Sequence, residues 1–147
     1  MSYLTIPRMT GILLCAILMT LSGRAFARDA APAEVPLISE QDQIQTVIAG
    51  QLEAFRAGDV AQAFSYADAP IQALFGNAQQ FGLMVQQGYA PIFTNASYEF
   101  GQFQVQGINA VQIVMVLGND GTRALAQYRL SKGSGEWRIA GVVMQLI

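Results

Sequence analysis

Apolar residues recur at helical spacing early in the chain and at strand spacing later, and this change of period divides it. Ile44, Val47, Ile48, Leu52 and Phe55 fall at helical spacing and form one stripe, which predicts an amphipathic helix. Ser39 followed by Asp42 resembles a capping box at its start, and Gly58 is the glycine that ends it. Asp59 with Gln62 three residues on opens a second helix, whose buried face is Val60, Ala63, Phe64 and Ala67. The same grammar recurs where Gly76 closes, Asn77 caps, Gln80 follows, and Phe81, Met84 and Val85 form the face. Asn77 cannot ionise, so its use in the same place assigns Asp59 to capping rather than to acid–base chemistry. Between these two lies "DAPIQALF", a short helix with Pro70 in its first turn. Gly88 and Pro91 are read as the end of the helical half.

From Tyr98 onward the period is two. "YEFGQFQV", "AVQIVMVLG", "TRALAQYRL" and "EWRIAGVVMQL" read as strands, separated by turns at Gly107, at Asn119-Asp120-Gly121 and at Gly133-Ser134-Gly135. Tyr98 and Phe100 share one parity and Phe103 and Val105 the other, so Gly101 marks a bulge. The fold class is α+β, with N-terminal helices packed on a four-stranded antiparallel meander. Alternation carried through the hairpins puts three sets of residues on the helix-facing side. They are Val111, Ile113, Met115 and Leu117; Ala124, Ala126, Tyr128 and Leu130; and Trp137, Ile139, Gly141 and Val143. The opposite face would hold Gln112, Val114, Val116, Arg123, Leu125, Gln127, Arg129, Arg138, Val142 and Met144.

Composition adds a statement about destination. The chain of 147 residues is 52% hydrophobic and only 12% charged, against about 25% charged in ordinary soluble domains. Part of the excess is "GILLCAILMTL", preceded by Arg8 and followed by "SGRAFA". That is the layout of a secretory signal peptide, residues 1–27, with cleavage expected after Ala27 and a periplasmic or secreted product. The apolar run is short of the roughly 20 residues that span a bilayer, so no membrane attachment is expected after cleavage. Cys15 would leave with the signal, and a lipoprotein reading fails because Leu14 stands before it where a small residue is needed. Residues 28–37 are an Ala/Pro-rich spacer, and residues 38–147 form a single α+β domain. After cleavage six Lys and Arg remain against ten Asp and Glu, a net charge of −4 with no basic stripe, so no nucleic-acid partner is expected.

In order, "AFRAGD", "IQALFGN", "FGLMVQQGY" with Pro91, "DG" with "AQYRL", and "EWRIAGV" resemble a bacterial family catalogued as domain of unknown function 4864. The matching elements run from Gln41 to about Leu146. Families of this outline resemble the nuclear transport factor 2-like superfamily (SnoaL/ketosteroid isomerase-like), which implies a curved sheet wrapped around helices and a cone-shaped pocket. That superfamily includes isomerases, dehydratases and non-catalytic binding domains. One departure is local: Asp68-Ala69-Pro70 stands where the resemblance leads one to expect Ser-Pro. The resemblance supplies a fold and no reaction.

The residue inventory excludes much chemistry. The chain has no histidine, and its mature part has no cysteine, which removes Ser-His-Asp triads, thiol nucleophiles and the common zinc sites. No glycine-rich phosphate loop is present, and the acids are scattered over caps, turns and the spacer. No catalytic residue, metal ligand or cofactor is assigned. The leading reading is a non-catalytic binding domain with an apolar pocket for a small ligand, formed by Tyr66, Met84, Tyr89, Tyr98, Phe100, Met115, Tyr128 and Trp137. A second reading is a cofactor-free isomerase or lyase that pairs a tyrosine with Asp68 or Glu99. Glu99 alternates away from Tyr98 and Phe100, which favours a solvated role for it. A third is a partner-binding scaffold with a filled core. The outer sheet face, with Val114, Val116, Leu125, Val142 and Met144, is expected to form a homodimer interface.

Overall fold

Ser39 fixes where the chain becomes helical. Its hydroxyl accepts the Asp42 amide at 3.1 Å while the Asp42 carboxylate accepts the Ser39 amide at 3.3 Å, so two donors that a helix leaves unpaired are satisfied together. In this computed structural model, which describes residues 37–147, helix α1 then runs Glu40–Arg56. It buries Ile44, Ile48, Leu52 and Phe55 almost completely. Each such side chain contributes roughly 1.5–3 kcal/mol on leaving water. The helix ends in a Schellman turn. Gly58 takes φ +73° and donates to the Phe55 carbonyl, and Asp59 donates to that of Ala54.

Asp59 thus closes one helix and opens the next. Its carboxylate accepts the Gln62 amide at 2.9 Å at the start of α2, Val60–Ser65. The Gln62 side chain does not turn back to the cap; it donates to the Tyr66 hydroxyl at 3.3 Å. Asp68 caps α3, Ala69–Phe75, by accepting the Ile71 amide at 3.0 Å, with Pro70 in the first turn. Asn77 caps α4, Ala78–Gly88, by accepting from Gln80 at 2.9 Å. Pro91 does not end the helical half as the sequence suggests. It sits in the first turn of a further short helix, α5, Ala90–Phe93, where its missing N–H costs nothing.

Four strands follow: β1 Asn95–Gln106, β2 Asn109–Gly118, β3 Arg123–Ser131 and β4 Arg138–Leu146, in the sheet order β1-β2-β3-β4, all antiparallel. The β1–β2 register breaks between Phe100 and Phe103, at the expected Gly101 bulge. The bulge's effect is to keep Tyr98, Phe100, Phe103 and Val105 all on the helix-facing side, opposite Val116, Val114, Gln112 and Ala110.

Two face assignments made from alternation are wrong. In β2 the buried residues are Ala110, Gln112, Val114, Val116 and Gly118, while Met115 and Leu117 are exposed. The turn pairs Leu117 with Arg123 and Val116 with Ala124, and partners across an antiparallel pair share a face. The strand is apolar at both parities, so hydrophobicity could not choose, and the residue that marks the inner face is polar. The Gln112 amide donates to the carbonyls of Gly101 and Gln102 at 3.1 Å each and accepts from Gln45 at 3.1 Å, satisfying groups that the bulge leaves without ladder partners. In β4 the register breaks between Arg129 and Leu130, which pair with Gly141 and Ile139 and leave Ala140 as the extra residue. Beyond it Val142 and Met144 turn inward and Val143 is exposed. The predicted outer set therefore does not hold. Val114 and Val116 are core residues, Val142 and Met144 pack against the core, and Leu125 alone of the five lies outside. The outer apolar residues are Met115, Leu117, Leu125 and Val143.

The core lies between the sheet and α1, with α2, α4 and α5 closing one side. The predicted signal peptide and all but the last residue of the spacer lie outside the described residues. No helix among those described is long and apolar enough to cross a membrane.

Candidate functional site: a cavity at the edge of the sheet

The edge strand β4 is tied to the helices at two points. Between α2 and α3, Asp68 donates to the Ile139 carbonyl and Ile139 donates to that of Tyr66, each at 2.9 Å, making a short parallel bridge. Further along, the Tyr89 hydroxyl donates to the Val142 carbonyl at 3.2 Å. Ala140 and Gly141 lie between these ties, and behind them is a cavity of about 270 Å³.

Its walls follow from the helix stripes. Helix α1 contributes Gln51 and Phe55, α3 contributes Ile71, Leu74 and Phe75, and α4 contributes Phe81, Met84 and Val85. Ala67, Tyr89, Ile92 and residues 139–142 complete it, with Arg129 at the sheet side. Phe81 centres the aromatic wall, with ring centroids 5.1 Å from Phe64, 5.6 Å from Phe75 and 6.0 Å from Phe55. These stacked, tilted and edge-on contacts are the arrangements that aromatic pairs prefer. The polar groups are few. The Gln51 side chain donates to the Ala63 carbonyl at 3.2 Å, and Tyr89 is committed to Val142. Among the described lining residues there is no carboxylate, and the charged one is Arg129.

The eight residues expected to form a pocket are dispersed. Met84 and Tyr89 line the cavity. Tyr66 lies against Gly50, so closely that a Cβ there would stand 2.4 Å from its ring, and its hydroxyl accepts from Gln62. Tyr98 and Phe100 meet edge-on at 5.6 Å on the inner face of β1, at the opposite edge of the sheet. The Tyr98 hydroxyl donates to Glu53 at 3.2 Å; its partial burial and the Glu53 carboxylate both raise its pKa. Tyr128 and Trp137 fill the core, and neither the Tyr128 hydroxyl nor the Trp137 N–H has a protein partner among the described residues. Burial drives the Tyr128 pKa far up. Met115 points outward, because its strand has the opposite parity to the one expected. The cavity's principal wall, Phe55, Phe81 and Val85, was legible as helix faces but not as a site.

The acids considered for catalysis lie elsewhere. Asp68 caps α3 and lies 3.4 Å from the Ser131 hydroxyl, and Glu99 is exposed opposite Met115 on the outer face. Asp120 serves its turn by accepting the Thr122 amide at 2.9 Å, which lowers its pKa. No group of three or more His, Cys, Asp or Glu converges on a metal-sized site among the described residues.

Helices followed by a four-stranded antiparallel sheet are also the fold of solved nuclear transport factor 2-like structures. An NTF2-like protein of unknown function from Silicibacter pomeroyi DSS-3 is 17% identical, with 71% of this chain and 93% of that one covered at a TM-score of 0.52. Another from Shewanella baltica OS155 is 15% identical, with 74% and 94% covered at 0.50. At such identities the likeness is one of fold. The chain belongs to the family described as "Domain of unknown function (DUF4864)", which it matches over residues 38–146. No curated protein matches it.

Proposed function

We propose that the protein is an exported, non-catalytic binding domain that holds a small apolar ligand in the cavity at the β4 edge. The observation that carries this reading is the cavity itself, about 270 Å³, walled by Phe55, Ile71, Phe75, Phe81, Met84 and Val85 and crossed by few polar groups. It lies just below the about 300–1,000 Å³ range of ligand sites, which suits a compact molecule. The isomerase reading finds less support. Proton abstraction needs a base within hydrogen-bond reach of the substrate, and the described lining holds no carboxylate. Native mass spectrometry of the mature protein is expected to show a co-purifying small molecule, and an apolar library to raise its melting temperature. A protein that is empty and shifts with no member overturns the reading. Export rests on the layout of residues 1–27, and N-terminal sequencing of the native protein is expected to begin at Arg28.

We propose also that a second copy covers the outer sheet face, now through Met115, Leu117, Leu125 and Val143. These are 36–59% exposed on neighbouring positions of three strands, and a contiguous apolar patch is uncommon on a monomer. Leu125→Glu with Val143→Glu is expected to give a folded monomer from a dimer. Sedimentation of the unmutated protein as a monomer at tens of micromolar refutes it.

A further inference from the structure

Arg129 gives the cavity a polarity that its walls lack. On β3 it lies between the inward residues Tyr128 and Leu130, so alternation alone directs it away from the helices. It is exposed there, yet it is among the residues that line the cavity where it opens at the β4 edge, and two local features account for that. One is the bulge at Ala140, which bends the edge strand directly opposite Arg129; such bulges re-aim neighbouring side chains. The other is Gly141, the cross-strand partner of Arg129. A Cβ on Gly141 would stand 2.8 Å from the Arg129 Nη2 atom, so the guanidinium occupies space that any other residue type would contest.

No acid among the described residues neutralises this cation. Ion pairs among the described residues join Arg56 to Glu53, Lys132 to Glu40 and Arg138 to Glu136, and none includes Arg129. An exposed guanidinium at the opening of an aromatic-walled cavity, in a chain with more acids than bases, offers a partner to a ligand that brings its own negative charge. The planar fork of arginine matches a carboxylate with two parallel hydrogen bonds. Resting on the binding reading above, we propose that the ligand is a small apolar monocarboxylate. Its hydrocarbon lies among Phe55, Phe75, Phe81 and Val85, and its carboxylate meets Arg129 at the β4 edge.

A matched pair of probes tests this: octanoate and 1-octanol, titrated calorimetrically into the mature protein at low salt. Octanoate is expected to bind at least tenfold more tightly, with the gap narrowing as salt rises. Arg129→Gln removes the gap by weakening octanoate alone, and Arg129→Lys keeps part of it. Gly141→Ala displaces the guanidinium and weakens octanoate while octanol is unaffected. Near-UV circular dichroism establishes that each variant is folded; should Arg129→Gln fail to fold, the lysine variant and the salt series decide. Equal affinity for the two probes overturns the carboxylate inference while leaving the cavity reading intact. Octanoate preference that survives in Arg129→Gln overturns it equally. Binding of neither probe at millimolar concentration overturns both readings.

Discussion

Asn95 is where removal of one small side chain should cost most. It is 2% exposed at the start of β1, and its amide uses every polar atom. The nitrogen donates to the carbonyls of Leu52 and Ile92, each at 2.9 Å, and the oxygen accepts from Arg56 Nη2 at 2.8 Å. One residue therefore ties the end of α1, the end of α5 and the first strand. Asn95→Ala removes two buried neutral bonds at about 1 kcal/mol each and one bond from a charged group at about 1.5–3 kcal/mol. Arg56 is partly exposed and keeps the Asn95 and Ala96 carbonyls and Glu53 as acceptors, so its share falls at the low end. The expected loss is about 3–4 kcal/mol, a large part of the 5–15 kcal/mol that holds a typical domain. Urea denaturation measures it as a lowered midpoint at unchanged slope. Asn95→Asp should be at least as damaging at neutral pH, because an oxygen replaces the donor facing two carbonyls. It should recover in part as acid protonates the new carboxyl. A loss under 1 kcal/mol for Asn95→Ala, or full stability of Asn95→Asp at pH 7, would refute the reasoning.

Asp59→Asn should be nearly neutral and Asp59→Ala should cost about 0.5–2 kcal/mol by the same denaturation assay, since Asn and Asp cap equally well. The reverse order would mean that the charge matters and the cap does not. Tyr128→Phe should leave stability unchanged or raise it by about 1 kcal/mol, because the hydroxyl it removes has no partner among the described residues; a loss of that size would show the hydroxyl to be bonded. Burial raises the Tyr128 pKa, so the folded state holds that proton more tightly than the unfolded chain. Its contribution is fully present below the ordinary tyrosine pKa of about 10 and falls as pH rises beyond it, by up to about 1.4 kcal/mol per pH unit. Ultraviolet titration should find Tyr128 ionising only together with alkaline unfolding.

The helical half could be read because its signals are local. Ser39, Asp59, Asp68 and Asn77 each cap within three residues of themselves, and a cap needs nothing from the rest of the chain. The sheet's turns and the Gly101 bulge were legible for the same reason. The faces of β2 and the end of β4 were not. In β2 apolar residues occupy both parities, and the choice is made by a buried Gln112 whose partners lie on another strand. In β4 the Ala140 bulge inverts the alternation without any local mark except the glycine beside it. The cavity suffered most, since Gln51, Phe81 and Arg129 are far apart in sequence and meet only when three helices dock on one sheet edge. Aromatic content drew attention to Tyr98, Tyr128 and Trp137 instead, which the fold uses elsewhere.

The Gly101 bulge has a consequence for solubility in crowded surroundings. β1 is 12 residues long and forms an open margin of the sheet. A strand of that length left straight would offer a continuous row of backbone donors and acceptors to any extended chain, an invitation to aggregation. The break between Phe100 and Phe103 divides the row into two short stretches set out of line with each other. Neither is long enough to template a foreign strand well. The opposite margin is guarded differently, by the Tyr66–Asp68 segment bonded along Ile139. Restoring β1 to regular alternation by deleting Gln102 would therefore be expected to show itself as fibrils or dimers paired edge to edge before it showed itself as lost ligand.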